Sequence, residues 1–300
     1  MKPLHDSSEI PAPETPSAVH SVFRVPWLVG RISKISKQGI KETSAIYVRW
    51  QRFALNGIVL CIAALPTQAS APRLRPINQI GHMAYAWNRW WNIQGSVDRI
   101  LVDSQQPTVI RFVGRGGERR SRDSAARDRV ELSAGLEPMQ YGMPYTIYFS
   151  RRVWKPKEGS TGLNVVATQV HNSNEPDDTG VARPILAFRV VGDESVITVS
   201  GSLENPLKTD STVVELFRGP LSWDRWSTFR IIANFRPSDG TLQIWQDNKK
   251  IVDKTGLSIG FVDSKGPYFK FGVYRATDNR DMTIDYRDVN IKNNESIKRI

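Results

Sequence analysis

From about residue 72 to residue 300, apolar and polar side chains alternate along the chain. In the runs 145–150 and 229–234, every second side chain is aromatic or aliphatic. Further apolar, β-branched runs occur at 109–112, 163–170, 185–191, 196–199 and 213–217. A period of two predicts half-buried β-strands. No stretch longer than about ten residues has a convincing helical period of 3.6, so the sequence predicts an all-β protein.

Turn-forming residues separate the predicted strands. Gly192-Asp193, Asp239-Gly240 and Asp247-Asn248 each lie between two such runs, and Asp-Gly in this position is typical of a hairpin. About a dozen strands without internal repeats fit one β-sandwich or jelly roll. We therefore predict a single all-β domain over residues 70–300.

The first seventy residues have a different pattern. Residues 1–47 are polar, so we expect a disordered extension, or translation that begins upstream of the natural start. Residues 48–69 have the order of a secretory signal peptide: basic residues, the apolar run 53–65, then small residues. We expect cleavage after Ala69 and a secreted or periplasmic protein. The apolar run is short for a membrane span, so we expect no stable membrane insertion.

Two alternatives for this segment stay open. It could form a buried core helix, although Asn56-Gly57 and Pro66 are poor helix residues. Residues 58–61 form a weak lipobox that ends in Cys61, so lipid anchoring is a minor alternative. Cys61 is the only cysteine, which excludes an intrachain disulfide and a Cys-based zinc site.

Composition and charge narrow the possible partners. Hydrophobic residues make up 40% and charged residues 24% of the chain, which excludes a wholly disordered or fibrous protein. The net charge is +11, and basic residues still outnumber acidic ones when residues 1–69 are removed. Such a surface attracts polyanions. Nucleic acid is one polyanion, but the expected export argues against it.

Three predicted strands carry polar side chains on one face. Because residues i and i+2 of a strand point the same way, Arg129 lies beside Glu131, and Gln169 beside His171. The third strand places Tyr268, Lys270, Gly272 and Tyr274 on one face, with Phe269, Phe271 and Val273 on the core face. The glycine would leave room there for a ligand. Together these side chains suit a groove that binds an anionic polymer.

These residues carry a family resemblance. Arg129-x-Glu131-Leu132, Gln169-Val170-His171 and the strand 268–274 resemble, in this order, the three motifs of β-jelly-roll polysaccharide lyases. That group includes alginate lyases, glucuronan lyase and heparin lyase I, and the resemblance covers about residues 95–292. It implies a concanavalin A-like β-jelly-roll sandwich and β-elimination of an anionic, uronic-acid-containing polysaccharide. It also implies no required cofactor, and we expect a monomer.

The chemistry of elimination assigns candidate catalytic roles. The reaction removes the proton alpha to a uronate carboxylate and expels the 4-linked oxygen. Arg129 and Gln169 can donate hydrogen bonds that neutralise the carboxylate, and His171 and Tyr274 are the available acid–base pair. By resemblance Tyr274 is the acid and can also be the base. His171 is then either the base or a carboxylate neutraliser, depending on the stereochemistry at C5.

The remaining motif residues are candidates for substrate binding. Lys270, Tyr268 and Arg275 would hold neighbouring carboxylates and stack on sugar rings, and Glu131 belongs to the same predicted set. Two positions depart from the alginate lyase pattern. Ser133 stands where those enzymes usually have a second Arg, and Arg275 stands where they tend to have Asn. Both departures favour the glucuronan-lyase and heparin-lyase-like branch.

Other functions are weighed against this one. A non-catalytic, lectin-like carbohydrate-binding module would keep the basic, aromatic groove without needing both His171 and Tyr274. A retaining glycoside hydrolase needs two carboxylates close together, and the chain has no Glu-x-Asp-x-x-Glu run. The other histidines lie outside the motifs, which gives a histidine metal site no support. A structural calcium, as occurs in related lyases, would use carboxylates such as Asp285 and Asp288.

Overall fold

The structure is a computed structural model that describes residues 74–117, 127–173 and 175–294. The predicted extension 1–47, the predicted signal peptide 48–69 and its cleavage site lie outside the described residues. The described part of the chain contains no helix of the length and apolar character that crossing a membrane requires.

The described residues form seventeen strands and one short 3₁₀ turn, Val97–Arg99. The strands are β1 (Leu74–Pro76), β2 (Gln79–Ile80), β3 (Met83–Ala86), β4 (Arg89–Gln94), β5 (Ile100–Asp103), β6 (Ile110–Gly114), β7 (Arg127–Ser133), β8 (Pro144–Val153), β9 (Asn164–His171), β10 (Leu186–Val191), β11 (Glu194–Gly201), β12 (Thr212–Pro220), β13 (Trp226–Asn234), β14 (Arg236–Gln246), β15 (Lys249–Ile259), β16 (Tyr268–Ala276) and β17 (Met282–Asn293).

Two antiparallel sheets make up the domain, which confirms the predicted β-sandwich. One has eight strands in the order β1-β5-β6-β17-β8-β13-β14-β15, and the other has nine in the order β12-β11-β10-β9-β16-β7-β4-β3-β2. The core side chains come from the predicted inward positions of both sheets, among them Phe149, Phe188, Phe229, Phe269 and Phe271. Burying one such ring stabilises the fold by about 1.5–3 kcal/mol.

The structure confirms the three predicted hairpins, and two of them have two-residue turns. Gly192-Asp193 joins β10 to β11, and Asp247-Asn248 joins β14 to β15 as two-residue turns between paired strand ends. Both central residues of the second turn have positive φ, as a type I′ hairpin requires. Asp239-Gly240 behaves differently: it lies within β14, and Gly240 pairs with Leu257 of β15. The connection from β13 is therefore wider than a two-residue hairpin.

The predicted calcium ligand Asp285 has other partners. Its buried carboxylate accepts hydrogen bonds from Arg111 at 2.7 and 3.0 Å, from Arg152 at 2.7 Å and from the Trp154 indole at 2.9 Å. Two guanidinium groups already neutralise this charge, so Asp285 is not available as a calcium ligand. Within the described ranges, no three His, Cys, Asp or Glu side chains form a group that could hold a metal ion.

Candidate active site

The three motifs meet at the centre of the nine-stranded sheet. β16 lies between β9 and β7, so segments that are far apart in sequence become neighbours through backbone pairing. The cross-strand pairs are Tyr268 with His171, Lys270 with Gln169, Gly272 with Glu131 and Tyr274 with Arg129. Directly opposed side chains in a sheet lie close enough to interact, which makes this region one site.

A groove of about 330 Å³ lies on the outer face of these strands. Its lining includes six of the predicted site residues, namely Arg129, Gln169, His171, Lys270, Tyr274 and Arg275. Tyr268 stands next to it, with its ring centroid 5.8 Å from that of His171. The structure thus brings the predicted acid–base pair and the predicted carboxylate donors together on one surface.

Glu131 lies beneath this groove and is fully buried. Its Oε1 accepts a 2.6 Å hydrogen bond from the Gln169 amide, while its Oε2 lies 3.3 Å from Lys270 Nζ and 3.9 Å from a guanidinium nitrogen of Arg129. A buried carboxylate among these groups cannot reach a sugar, so the prediction that Glu131 binds substrate is wrong. Its contacts make it a positioning residue.

Lys270 is also less accessible than the sequence predicts. Its side chain is only 3% exposed, and its ammonium forms an ion pair with Glu131 at the floor of the groove. The opposing residue on β7 is the buried Ser133, the position at which alginate lyases usually have an arginine. Lys270 therefore adds positive charge to the groove floor, and its side chain does not extend along the groove.

Arg129 and Tyr274 form a stacked pair on the groove wall. The guanidinium carbon of Arg129 lies 4.3 Å from the centroid of the Tyr274 ring, within the range of a cation–π contact. A further hydrogen bond of 3.2 Å joins Arg129 to Gln94 of β4. The stack holds the tyrosine ring in place independently of its hydroxyl group.

His171 is neutral at neutral pH. Burial, followed by the charge of Lys270, lowers its pKa to about 4. Its Nδ1 lies 2.7 Å from the Asn172 carbonyl oxygen, which can only accept, so the proton is on Nδ1 and the lone pair is on Nε2. An uncharged imidazole with a free Nε2 lone pair is able to accept a proton. Tyr268 beside it has a pKa raised by burial and by the charge of Glu131, so its hydroxyl group stays protonated.

A comparison with known proteins identifies the family. The model of the family described as polysaccharide lyase matches residues 86–293. The chain belongs to the polysaccharide lyase family. It is therefore an enzyme of this class, as the motifs predict, and the lectin-like alternative is set aside.

One of the solved structures similar to this chain has a comparable fold, and two alginate lyases match with lower TM-scores. An endo-β-1,4-glucuronan lyase from Trichoderma reesei matches with a TM-score of 0.51 at 12% identity, over 73% of this chain and 94% of that chain. The alginate lyase PA1167 from Pseudomonas aeruginosa has a TM-score of 0.43 at 16% identity, over 66% and 87% of the two chains. The alginate lyase AlgAT5 of polysaccharide lyase family 7 has a TM-score of 0.45 at 12% identity, over 66% and 84%. Among curated protein sequences, none matches.

Arg275 of the lyase borders the groove, but its guanidinium is buried between the sheets, contrary to its predicted role in substrate binding. Its buried guanidinium donates hydrogen bonds of 3.1 and 3.2 Å to Asp128 and one to the carbonyl oxygen of Gly114, which lies in the other sheet. Arg275 has the same strand parity as the core residue Val273, so the period of two already placed it on this side. It supports the packing of the two sheets.

Gly272 is required for a different reason than the sequence suggests. Its φ is +139°, and a Cβ atom there would lie 2.2 Å from the carbonyl oxygen of Val130 on β7. Only glycine permits this approach between the two backbones. The residue therefore allows β16 and β7 to pair closely, and the expectation that it makes room for a ligand is wrong.

Three arginines of the groove are absent from the sequence prediction: Arg127, Arg183 and Arg189. Two of them had a detectable signal. Arg127 precedes Arg129 by two positions and so shares its face, and Arg189 is the single charged residue in the apolar run 185–191. Arg183 lies in the connection between β9 and β10, where no periodicity predicts which surface a side chain reaches.

Proposed function

We propose that this lyase cleaves a uronic-acid-containing polysaccharide by β-elimination. The observation that carries the proposal is the composition of the groove, where His171 and Tyr274 stand among cationic and amide side chains. No acidic side chain of the described residues lines it. A negatively charged sugar chain is the polysaccharide that such a surface attracts.

The first requirement of the reaction is neutralisation of the substrate carboxylate. Removing the C5 proton places further negative charge on this group, and donors directed at developing charge stabilise the transition state. Arg129 has a partly exposed side chain in the groove. Gln169 donates one amide hydrogen to Glu131, and its second amide hydrogen can be donated to the substrate carboxylate. We assign these two residues to the carboxylate.

The second requirement is the movement of two protons. A base removes the C5 proton, the electron pair of that bond forms the C4–C5 double bond, and the C4–O bond breaks. Tyr274 donates a proton to the leaving oxygen. The base is either Nε2 of His171 or the Tyr274 oxygen in its deprotonated form, according to which side of the ring carries the C5 hydrogen. The products are an unsaturated uronate and a new sugar hydroxyl end.

Among uronate polymers, we propose glucuronan as the first substrate to test. One departure from the alginate lyase pattern, Ser133 opposite Lys270 on β7, still favours this choice. Arg275 no longer contributes to it, because its side chain lies between the sheets. The named glucuronan lyase has a similar fold, which is compatible with this substrate class.

We expect purified enzyme to generate unsaturated uronate from at least one polymer of this class. The double bond formed at C4–C5 absorbs in the ultraviolet, so a screen of glucuronan, heparin-like chains and alginate by absorbance measures the reaction directly. Neutral glucans serve as the control and should give no signal. Binding of a uronate polymer without unsaturated product from any of them would contradict the proposed reaction.

We further propose that the lyase acts outside the cytoplasm as a monomer. The support for export is the order of basic, apolar and small residues across 48–69. The mature protein recovered from the medium or the periplasm should begin at Ser70, as measured by mass spectrometry of the intact chain. An unprocessed chain that stays in the cytoplasm would contradict export.

A further inference from the structure

The groove continues beyond the catalytic residues to a second group of cations. Arg189 projects from β10 on the same outer face, since its neighbours Phe188 and Val190 are buried in the core. A cross-strand row leads from it through Val166 to Tyr274. Two strand spacings of about 4.8 Å each place its backbone about 10 Å from that of the catalytic tyrosine.

A shift in strand register creates this row. Pairing of β9 with both neighbours slips between Thr168 and Val166. Thr168 binds the buried Tyr286 hydroxyl at 2.9 Å, whereas Val166 two positions earlier lines the groove. Strict alternation would place both on one face. The slip therefore turns Val166 and Asn164 outward and extends the groove toward β10.

Arg189 has no acidic partner among the described residues. Its guanidinium donates a 2.7 Å hydrogen bond to Oδ1 of Asn164, which is neutral. Burial, and then the positive charge of Arg183, lower its pKa below the ordinary value for arginine. Arg183 is itself paired with Asp210 only at 3.6 Å on the surface. Arg189 and Arg183 repel each other at one end of the groove. An anion placed between them is stabilised by both positive charges.

We propose that Arg189 and Arg183 form a subsite for the carboxylate of a neighbouring sugar in the bound polysaccharide. The inference rests on the proposed function, because it assigns this end of the groove to a uronate that is not itself cleaved. A guanidinium binds a carboxylate through two parallel hydrogen bonds. Chains that carry two charged sugars, the one that is cleaved and the one held here, would then bind more tightly than chains too short to reach the subsite.

Arg189→Gln tests the subsite on a length series of uronate oligosaccharides. We expect KM for polymer and long oligosaccharides to rise roughly tenfold, the effect of losing one charge-assisted contact, with kcat changed less than about twofold. The shortest oligosaccharides that are cleaved should show no difference, because they do not reach the subsite. Arg189→Lys should recover part of the loss, since it keeps the charge.

Arg230→Gln is the matched control. Arg230 stacks on Trp245 at 3.8 Å in the eight-stranded sheet, and its neighbours Phe229 and Ile231 are buried. Arg230→Gln therefore removes one positive charge, as Arg189→Gln does, but from the outer face of the other sheet. Its KM should stay at the wild-type value for every length. An equal rise in KM for Arg230→Gln would mean that net charge alone is responsible and would overturn the subsite.

Two other results would also overturn it: unchanged KM in Arg189→Gln, or an equal loss at every oligosaccharide length, which would indicate a purely structural role. Affinity for polymer, measured by calorimetry with the same variants, separates this inference from the proposed reaction. If the wild-type protein binds polymer but does not cleave it, the elimination mechanism is wrong. Weaker binding by Arg189→Gln, with normal binding by Arg230→Gln, would still support the subsite. If the wild-type enzyme cleaves polymer and Arg189→Gln leaves both KM and affinity unchanged, the subsite is wrong and the elimination mechanism stands.

Discussion

Tyr274→Phe is expected to abolish formation of unsaturated product while the protein still binds polymer. The substitution removes one hydroxyl group and keeps the ring that stacks on Arg129 at 4.3 Å. The fold and the carboxylate donors should therefore stay in place. A positioned acid or base contributes about 100- to 10,000-fold to a rate, and turnover should fall by at least this factor. The fall is greater if the same tyrosine serves as both base and acid.

Tyr268→Phe is the control for this experiment. Tyr268 lies on the same strand and the same face as Tyr274, beside His171. Its substitution by Phe also removes one hydroxyl group. It should keep most of the wild-type turnover, because its ring remains available for stacking. Near wild-type turnover in Tyr274→Phe, measured by ultraviolet absorbance, would show that the assigned elimination mechanism is wrong even though the fold is right.

Glu131→Gln is expected to weaken both folding and catalysis. The amide keeps an oxygen that can accept the hydrogen bond from Gln169, but it removes the negative charge beside the buried Lys270. Loss of one partner of a buried ion pair costs about 3–5 kcal/mol, which corresponds to a fall in the melting temperature of roughly 10 °C. Turnover should fall as well, because Gln169, Lys270 and Arg129 all take their positions from this carboxylate.

A second variant separates the two effects. In Glu131→Gln combined with Lys270→Met, both charges are gone, and a neutral pair of similar volume is often as stable as a buried ion pair. We expect thermal denaturation to recover most of the lost melting temperature, whereas turnover stays low because the positive charge at the groove floor is missing. Full recovery of turnover in the double variant would contradict a role for this ion pair in catalysis. An unchanged melting temperature in Glu131→Gln alone would contradict its role in folding.

The period of two along the chain was sufficient to predict the fold and most of the site. A strand with one buried side requires apolar residues at every second position, so the pattern located the strands and the faces on which Gln169, His171 and Tyr274 lie. The same rule placed Arg275 with the core residues. Its assignment to the substrate came from its adjacency in sequence to Tyr274, and that adjacency was misleading because neighbours in a strand point to opposite faces.

Only the tertiary structure decided how deep each side chain lies and which distant segments meet. Periodicity places Glu131 on the outer face, but Gln169 on β9 and Lys270 on β16 contact its carboxylate and bury it. The register slip in β9 and the position of Arg183 depend on contacts with other strands and with the β9–β10 connection. Such contacts join residues far apart in sequence, and a local pattern carries no information about them. The sequence therefore determined the strands and the face that carries the candidate site, while the packing of the strands determined the extent of the groove and its additional cations.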